Sequence, residues 1–209
     1  MGIALFAVML ALAAGLQAQD LSGVAIENKF DTAQAHVFIA TLRPHVPVPS
    51  PNGHSTNRVL IFLDNGELKR QEGGDSPKSI EFHRGDVLWR PASGAYVAEN
   101  TSDRAIRILE IDLKGKPAGP LPTTKLDPPL VDAKHYQVVL ENEQVRVLRV
   151  HYEAHEKGAL HEHILNRVVL YLNDQPGAKA DDIRISGAGT HTEQNAGDQP
   201  ADRIAVEIK

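Results

Sequence analysis

One stretch of the chain is written twice, and this repeat limits the fold more than any other feature of the sequence. NRVLIFLDN (57–65) returns as NRVVLYLND (166–174). The similarity continues on both sides of this stretch, where Gln34–His45 matches Gln144–His155 and Asp103–Lys114 matches Asp198–Lys209. A long internal repeat is typical of two copies of one structural unit. The sequence therefore predicts two related units.

Both copies have the pattern of β-strands. Short segments rich in β-branched residues alternate apolar and polar positions, and Gly, Pro, Asn and Asp separate them. The clearest are HVFIATL, RVLIFL, DVLW, AIRILEIDL, QVRVLRVHY, RVVLYL and RIAVEI. No long amphipathic helix pattern is present in the sequence. The predicted fold class is all-β.

The second copy is shorter than the first. Gly66–Arg84 lies between two strands of the first copy, whereas only Gln175–Ala180 lies at the matching place in the second. The longer segment is long enough for a β-hairpin and the shorter one only for a loop. We therefore expect the second unit to lack this hairpin and to be open on one side, which the first unit or a second chain would cover.

The chain divides into four segments on these criteria. Residues 1–18 are apolar and uncharged and precede a candidate cleavage site at Ala18, which is typical of a secretory signal peptide. An uncleaved anchor and a soluble helix are the alternatives. The first copy spans 25–115 and the second 135–209. Between them, 116–134 contains five of the 13 prolines and is expected to form a stiff, extended linker. The predicted location is the periplasm or the extracellular space.

Composition excludes several classes of function. The chain has no cysteine, which rules out disulfides, thiolate metal ligands and a cysteine nucleophile. The net charge of −5 comes without any basic block, which argues against nucleic-acid binding. No second segment is long and apolar enough to span a membrane, so no membrane contact is expected after signal cleavage. We expect a small-molecule ligand as the partner, with a homodimer as a possible assembly.

The second copy carries two short motifs. The first motif is GALHEHILNRVVLYLND, in which Gly158 precedes the paired histidines His161 and His163. The second motif is DDIRISGAGTHTEQN, which contains Asp182, Gly189, His191 and Asn195. These motifs resemble those of the cupin superfamily, and their duplication resembles a two-domain cupin. The resemblance implies two tandem jelly-roll β-barrels, the second of them shortened.

The first copy matches the same motifs less completely. GDVLWRPASGAYVAEN keeps Gly85, Asp86, Pro91, Gly94 and Asn100, but Tyr96 stands where the motif has histidine. In PNGHSTNRVLIFLDN, Asn52 and His54 stand at the paired-histidine positions. The first copy therefore resembles a degenerate cupin that retains one of the family's metal ligands.

His161 and His163 point to the same side of a strand because side chains alternate faces. The resemblance brings His191 beside them, and three imidazoles could bind one divalent Fe, Mn, Ni, Zn or Cu ion with positions left open for substrate. With such a site, the resemblance implies a metal-dependent enzyme of the oxidoreductase or isomerase type. The alternative is a polar strand face in a protein that binds a ligand, or serves a structural role, without metal or catalysis.

Arg167 occupies the place where the resemblance implies a glutamate ligand, and Arg58 is its counterpart in the first copy. A guanidinium repels a divalent cation. Arg167 is expected either to pair with Asp182 or Glu193, or to point into the barrel and bind an anionic substrate. A structural salt bridge is a further alternative.

The first copy is expected to gather Asn52, His54, Arg58 and Tyr96 into a polar, substrate-binding pocket; barrel filling without a ligand is the alternative. In the second copy, His151 and His155 are expected to be exposed or to support the site indirectly.

Glu153 is the nearest candidate to replace the missing carboxylate ligand. Glu162, which lies between the two histidines of the strand, should face away from them.

Overall fold

The structure is a computed structural model and describes residues 23–209. The expected signal peptide, with its alternatives of an anchor or a soluble helix, lies outside the described residues. Within 23–209 no helix has the length and apolar character needed to cross a membrane.

Nearly all of the regular secondary structure in the described chain is β-strand. The first copy contains β1 (Val24–Asp31), β2 (Ala35–Leu42), β3 (Pro47–Ser50), β4 (Arg58–Phe62), β5 (Gly66–Glu72), β6 (Lys78–Phe82), β7 (Val87–Arg90), β8 (Tyr96–Asn100) and β9 (Ile106–Leu113). A short helix, α1 (Pro128–Val131), follows. The second copy contains β10 (Tyr136–Glu141), β11 (Val145–Tyr152), β12 (Lys157–His163), β13 (Arg167–Tyr171), β14 (Ile183–Ser186), β15 (Gly189–Gln194) and β16 (Ala201–Ile208).

The strands of each copy form two antiparallel sheets in the same order. The first copy has a five-stranded sheet, β1-β2-β9-β4-β7, and a four-stranded sheet, β3-β8-β5-β6. The second copy has a five-stranded sheet, β10-β11-β16-β13-β14, and a two-stranded sheet, β12-β15. The duplicated stretch of the sequence is thus β4 in one copy and β13 in the other. The expected all-β, jelly-roll type of fold is confirmed.

The hairpin predicted in Gly66–Arg84 is present. β5 pairs with β6 from Gly66 to Arg70, and β5 also pairs with β8. In the second copy the short Gln175–Ala180 segment replaces this hairpin, so within the described residues β15 pairs with β12 alone. The second copy therefore lacks the outer half of its smaller sheet, as expected from the sequence.

The two copies pack against each other through their five-stranded sheets. Alternate residues of β2, β4 and β9 face alternate residues of β11, β13 and β16 in one buried cluster, which includes Ile39, Ile61, Val147, Leu170 and Val206. The other face of the first sheet closes a separate core inside the first copy. Both faces of these strands are buried, which explains their nearly continuous apolar sequences. The first copy therefore covers the large sheet of the second copy and not its open side.

Repeated polar residues hold the two copies together and shape their turns. The Asn57 amide donates to Gln144, and Asn166 donates to Gln34, so the interface has a pseudo-two-fold pair of hydrogen bonds.

The turn before β7 in the first copy and the turn before β14 in the second copy each have a residue with positive φ. Gly85 has φ +87°, and Asp181 at the matching turn has φ +70°. Aspartate tolerates this left-handed conformation better than most residues, which explains why the motif survives without its glycine.

The linker is less extended than its proline content predicted. Residues 116–127 contain no regular element, but α1 follows Asp127, with prolines in its first turn, where proline is well tolerated. The expectation of an extended segment was wrong for this end of the linker. Its carboxylates are tied to the second copy: Asp127 receives both terminal nitrogens of Arg146, and Asp132 bonds His135.

Candidate metal centre

Two neighbouring strands bring three histidines together in the second copy. β12 and β15 place His161 directly opposite His191, and His163 lies two residues further along the same face of β12. One ring nitrogen from each histidine lies within 4.8 Å of the others. His161 and His163 are buried and His191 is half-buried. The convergence expected from the motif is therefore confirmed.

Hydrogen bonds fix which nitrogen of each buried ring faces the centre. His161 donates from Nδ1 to the carbonyl of Ala159 over 3.0 Å, because a carbonyl can only accept. His163 places Nδ1 2.7 Å from a carboxylate oxygen of Glu207. In a neutral ring with Nδ1 protonated, Nε2 carries the free lone pair. Both rings therefore direct an Nε2 lone pair away from these partners.

The spacing between the rings fits a divalent cation. His161 Nε2 lies 3.2 Å from His191 Nε2. Two nitrogen ligands at about 2.1 Å from one metal ion lie roughly 3.0–3.4 Å apart when the bond angle is about 90–110°. Imidazole is a good ligand for Zn, Fe, Ni and Cu. The three residues can thus hold a metal, although the same spacing also allows a hydrogen bond between the rings.

Burial favours the neutral rings that a metal requires. Burial, together with the neighbouring histidines and the charge of Arg167, lowers the pKa of His191 to about 4. Burial likewise lowers the pKa of His161. Both rings are therefore neutral at neutral pH, and their lone pairs are available to a cation without competition from protons.

A buried ion-pair chain supports His163. Glu207 is fully buried and contacts Arg146 as well as His163. The Nε atom of Arg146 lies 2.6 Å from the Glu207 carboxylate. Burial alone would raise the pKa of Glu207, but the hydrogen bonds from His163 and Arg146 lower it overall. Glu207 is therefore ionised and orients the His163 ring, as carboxylates commonly do beside histidine ligands. The sequence patterns gave no indication of this role, because Glu207 lies on the last strand.

Tyr136 brings a hydroxyl group to the centre. Its oxygen lies 3.1 Å from His161 Nε2 and 2.7 Å from a carboxylate oxygen of Glu193. Glu193 is in turn paired with Arg203. Tyr136 begins β10, far from both motifs in the sequence, so no local pattern could have assigned it to the site. Glu193, together with Glu207, is a carboxylate that the fold brings close to the histidines.

The histidines open into a cavity of about 410 Å³. Its wall includes His163, His191, Tyr136 and Glu193, together with three guanidinium groups from Arg167, Arg184 and Arg203. Arg203 pairs with Glu193, and Arg184 pairs with Asp182 over 3.3 Å. The expectation that Arg167 pairs with Asp182 or Glu193 was therefore wrong, since other arginines occupy both carboxylates.

Arg167 is buried and has no carboxylate partner in the described chain. It donates one hydrogen bond, from Nη1 to the carbonyl of Gly187 over 2.6 Å. Glu207 lies directly opposite on β16 but is bound to His163 and Arg146 instead. Burial lowers the pKa of Arg167, and the charge of Glu207 partly offsets this. A guanidinium remains charged under these conditions, so the cavity wall carries a positive charge that no carboxylate of the described chain contacts directly.

Comparison with known proteins agrees with this geometry at the level of the fold. No family model matches the sequence, and no curated protein matches it. Solved structures do match. A Cupin 2 conserved barrel domain protein from Leptotrichia buccalis has a TM-score of 0.57 at 14% identity, covering 89% of both chains.

Two further structures have the same architecture. AerE from Microcystis aeruginosa has a TM-score of 0.61 at 12% identity, covering 90% of this chain and 93% of its own. A Lactobacillus farciminis oxalate decarboxylase has a TM-score of 0.57 at 10% identity, covering 89% and 81%. The fold is cupin-type. At these identities the likeness shows the fold and leaves activity to the residues themselves.

The first copy does not gather all four of its predicted residues. β3 pairs Ser50 with Tyr96, whereas β12 pairs His161 with His191, so Ser50 and not Asn52 is the register counterpart of His161. Asn52 lies in an exposed turn. The prediction for Asn52 was therefore wrong, because this copy has two additional residues in the loop after β3.

The other three predicted residues of the first copy line a second cavity, of about 310 Å³. Arg58 is neutralised there by two carboxylates, with Nη1 2.5 Å from Glu110 and Nε 2.8 Å from Asp112. This geometry favours the salt-bridge alternative for Arg58. His54 and Tyr96 meet edge to face at a ring-centroid distance of 5.9 Å.

The remaining acidic and histidine candidates lie away from the centre. His151 bonds Asp202 and Glu153, and His155 pairs with Asp198 over 2.9 Å, so both are exposed ion-pairing residues as expected. Glu153 is mostly exposed against His151 and was wrongly suggested as a replacement ligand.

Glu162 accepts a hydrogen bond from Thr124 of the linker. It does not line the cavity and therefore faces away from the histidines as expected.

Proposed function

We propose that the protein binds one divalent metal ion through His161, His163 and His191 and holds a small anionic molecule beside it with Arg167. The observation that carries this proposal is the guanidinium of Arg167, which has no ion pair in the described chain and lies in the wall of the cavity that His163 and His191 also line. Its repeat counterpart Arg58 is neutralised by two carboxylates. A buried charge without a partner is unfavourable unless a ligand compensates it.

The charge balance of the site favours an anion. Three imidazoles are neutral ligands, so they leave the charge of a divalent ion uncompensated, and Arg167 adds one further positive charge. Arg184 and Arg203 are already paired with carboxylates. A carboxylate or phosphate group can accept two parallel hydrogen bonds from a guanidinium, which selects its orientation as well as its charge. A small organic acid fits both the charge and the cavity of about 410 Å³.

Tyr136 and Glu193 are the groups that could move a proton in a reaction. The Tyr136 hydroxyl can donate to Glu193 over 2.7 Å; its other contact, His161 Nε2 at 3.1 Å, is a nitrogen that a bound metal would occupy. A bound metal would supply Lewis-acid polarisation of a substrate oxygen. Glu193 then offers a carboxylate that can accept a proton and Tyr136 a hydroxyl that can relay it. This arrangement suits an enzyme of the oxidoreductase or isomerase type, with Arg167 orienting the substrate.

The second candidate is a protein that binds a ligand, or serves a structural role, without metal. The contact between His161 and His191 favours this candidate, because a protonated His191 Nε2 can donate a hydrogen bond to His161 Nε2 without any metal. It is also favoured by the lack of a carboxylate at the Arg167 position. Under this alternative the cavity still offers Arg167 to an anion. Thermal stabilisation by small acids that persists in chelator would support this candidate, and stabilisation that requires metal would exclude it.

We infer further that the chain is an exported two-domain cupin with a degenerate first domain. The domains are 25–115 and 135–209, joined by 116–134, and the signal peptide is 1–18. The support is the shared strand order of the two copies and the loss of metal-ligating residues from the first. Detection of the mature protein outside the cytoplasm, with a new N-terminus after Ala18, is the expected result. Retention of the first 18 residues in the purified native protein would contradict it.

Elemental analysis of the purified protein tests the metal. After Fe, Mn, Ni and Zn are supplied in turn, we expect one metal ion per chain in the wild type and loss of metal in His163→Ala. His155→Ala is the matched control, because His155 is exposed and pairs with Asp198 outside the cavity. It should retain the metal. A wild-type protein that takes up none of the four metals would disprove the metal site.

Titration calorimetry with oxalate, pyruvate and malonate tests the anion site on metal-loaded protein. Arg167→Met should weaken binding of these probes about tenfold or more, because a charge-assisted pair is lost. Arg104→Met removes an exposed arginine of the first copy and is the control of equal charge. Equal affinities in Arg167→Met and wild type would show that Arg167 does not contact the anion.

A further inference from the structure

The barrel of the first copy contains a cavity that the proposed metal centre does not use. Its volume is about 310 Å³, which lies within the range of small-molecule sites. Apolar side chains from the core of the first copy form much of its wall, among them Phe38, Leu60, Leu68 and Ile108. Among the polar side chains of this wall, His54 and Arg90 each have a buried nitrogen with neither a hydrogen-bond nor an ion-pair partner in residues 23–209.

His54 is the first of these groups. The residue is 8% exposed, and its Nδ1 donates to the carbonyl of Thr56 over 2.9 Å. Nε2 therefore carries the lone pair, and this atom is buried without any hydrogen-bond partner in the described chain. A buried acceptor without a donor costs free energy. The ring lines the cavity, so a ligand hydroxyl or amine could satisfy it.

Arg90 is the second polar side chain of the wall with a nitrogen that lacks a partner. Its Nε is buried without a partner, and within residues 23–209 the side chain forms neither a hydrogen bond nor an ion pair. Arg90 lies opposite Arg58 on the neighbouring strand. Arg58 contacts both Glu110 and Asp112, and Arg70 in the same wall pairs with Glu72, so Arg90 is the cation of this wall that has no direct carboxylate partner in residues 23–209.

The two copies thus present the same chemistry from different residues. In the second copy the arginine without a direct carboxylate partner among the described residues is Arg167, on β13, and its cross-strand partner is Ser186. In the first copy the arginine on the equivalent strand contacts two carboxylates, and the cross-strand position is Arg90. Each barrel therefore contains at least one imidazole lone pair and one guanidinium that no carboxylate of residues 23–209 contacts directly. Apart from the three histidines of the second copy, the described residues show no group of metal-ligating side chains.

We propose that the cavity of the first copy is a metal-free binding site for a small organic acid whose apolar body carries a hydroxyl group. The carboxylate would pair with Arg90, the hydroxyl would donate to His54 Nε2, and the apolar body would contact Phe38, Leu60 and Leu68. The site is independent of the metal centre, because it shares none of that centre's residues.

Titration calorimetry on the intact, chelator-treated protein tests this site. The probes are 2-, 3- and 4-hydroxybenzoate and 4-hydroxycinnamate, with benzoate and cinnamate as matched acids that lack the hydroxyl. We expect a hydroxylated probe to bind at one site per chain. His54→Leu should weaken that probe about tenfold or more while leaving the matched acid unchanged, because only the hydroxyl contact is lost. Arg90→Met should weaken both about tenfold or more.

Two controls keep the result interpretable. Arg104→Met removes an exposed arginine outside the cavity and should bind as the wild type does. The thermal stability of Arg90→Met should equal or exceed that of the wild type, because the substitution removes an unpartnered buried polar atom. His54→Leu should stay close to the wild type, because loss of the bond to Thr56 offsets removal of the unpartnered Nε2. Failure of every probe to bind at millimolar concentration overturns the proposal. Binding that survives both substitutions, or that requires metal and is lost in His163→Ala, overturns it as well.

Discussion

Arg58 and Arg167 occupy the same position of the repeat, but their neighbours differ. Arg58 faces Glu110 and Asp112, whereas the second copy has Ala205 and an already engaged Glu207 at the matching places. We expect Arg58→Met to destabilise the protein by about 3 kcal/mol, because it leaves buried carboxylates unpaired.

Arg167→Met is the matched variant and should be neutral or stabilising, since it removes a buried charge that has no carboxylate partner. Denaturant unfolding of both variants measures the difference. Equal destabilisation would show that Arg167 has a structural partner.

His54 should make stability depend on pH. Burial lowers its pKa below the usual 6.5, and the backbone hydrogen bond from Nδ1 offsets this only in part. As pH falls below 6.5 the unfolded chain therefore takes up a proton that the folded chain does not, and stability decreases until the folded pKa is reached. The free energy of unfolding of wild type and His54→Leu, measured from pH 7 to pH 5, should fall less steeply in the variant. Parallel pH profiles would contradict this assignment.

The β5–β6 hairpin is the element in which the two copies differ most. β5 covers one edge of β8 in the first copy, whereas the corresponding edge of β15 has no strand beside it in residues 23–209. We expect the amides of Thr190–Gln194 that do not bond β12 to exchange with solvent faster than those of β8. Hydrogen-exchange mass spectrometry or NMR of the intact protein measures this. Equal protection of β8 and β15 would indicate that a second chain covers the open edge, as in a homodimer.

Sequence patterns identified the interior strands better than the edges. Strands such as β4, β9, β13 and β16 are buried on both faces, so their apolar residues are nearly continuous and easily recognised. Strands such as β3, β12 and β15 are partly exposed and less continuously apolar, and their pairing depends on tertiary context. The same limitation affected Asn52, since a local alignment does not show which residues an irregular loop displaces from the strand register.

The whole molecule has one large core shared by both copies. This core lies between the five-stranded sheets and contains more buried residues than the interior of either copy. A fragment of residues 23–115 would expose Val37, Ile39, Ile61 and Ile111 to water. We expect it to self-associate or aggregate, because large exposed apolar faces are unfavourable in a monomer. Analytical ultracentrifugation measures this. A stable monomeric fragment would show that the first copy folds independently.

The sequence by itself determined the all-β class, the duplication, the missing hairpin and the three histidines, because these depend on local periodicity and on residues at fixed spacing. Tertiary structure decided which charges are compensated. Tyr136 and Glu207 reach the histidines from distant strands, and Arg167 remains unpaired while Arg58 does not. The duplicated strand presents the same arginine twice, but the energy of a charge depends on the groups that surround it in three dimensions. Those groups belong to other strands, and only the fold brings them together.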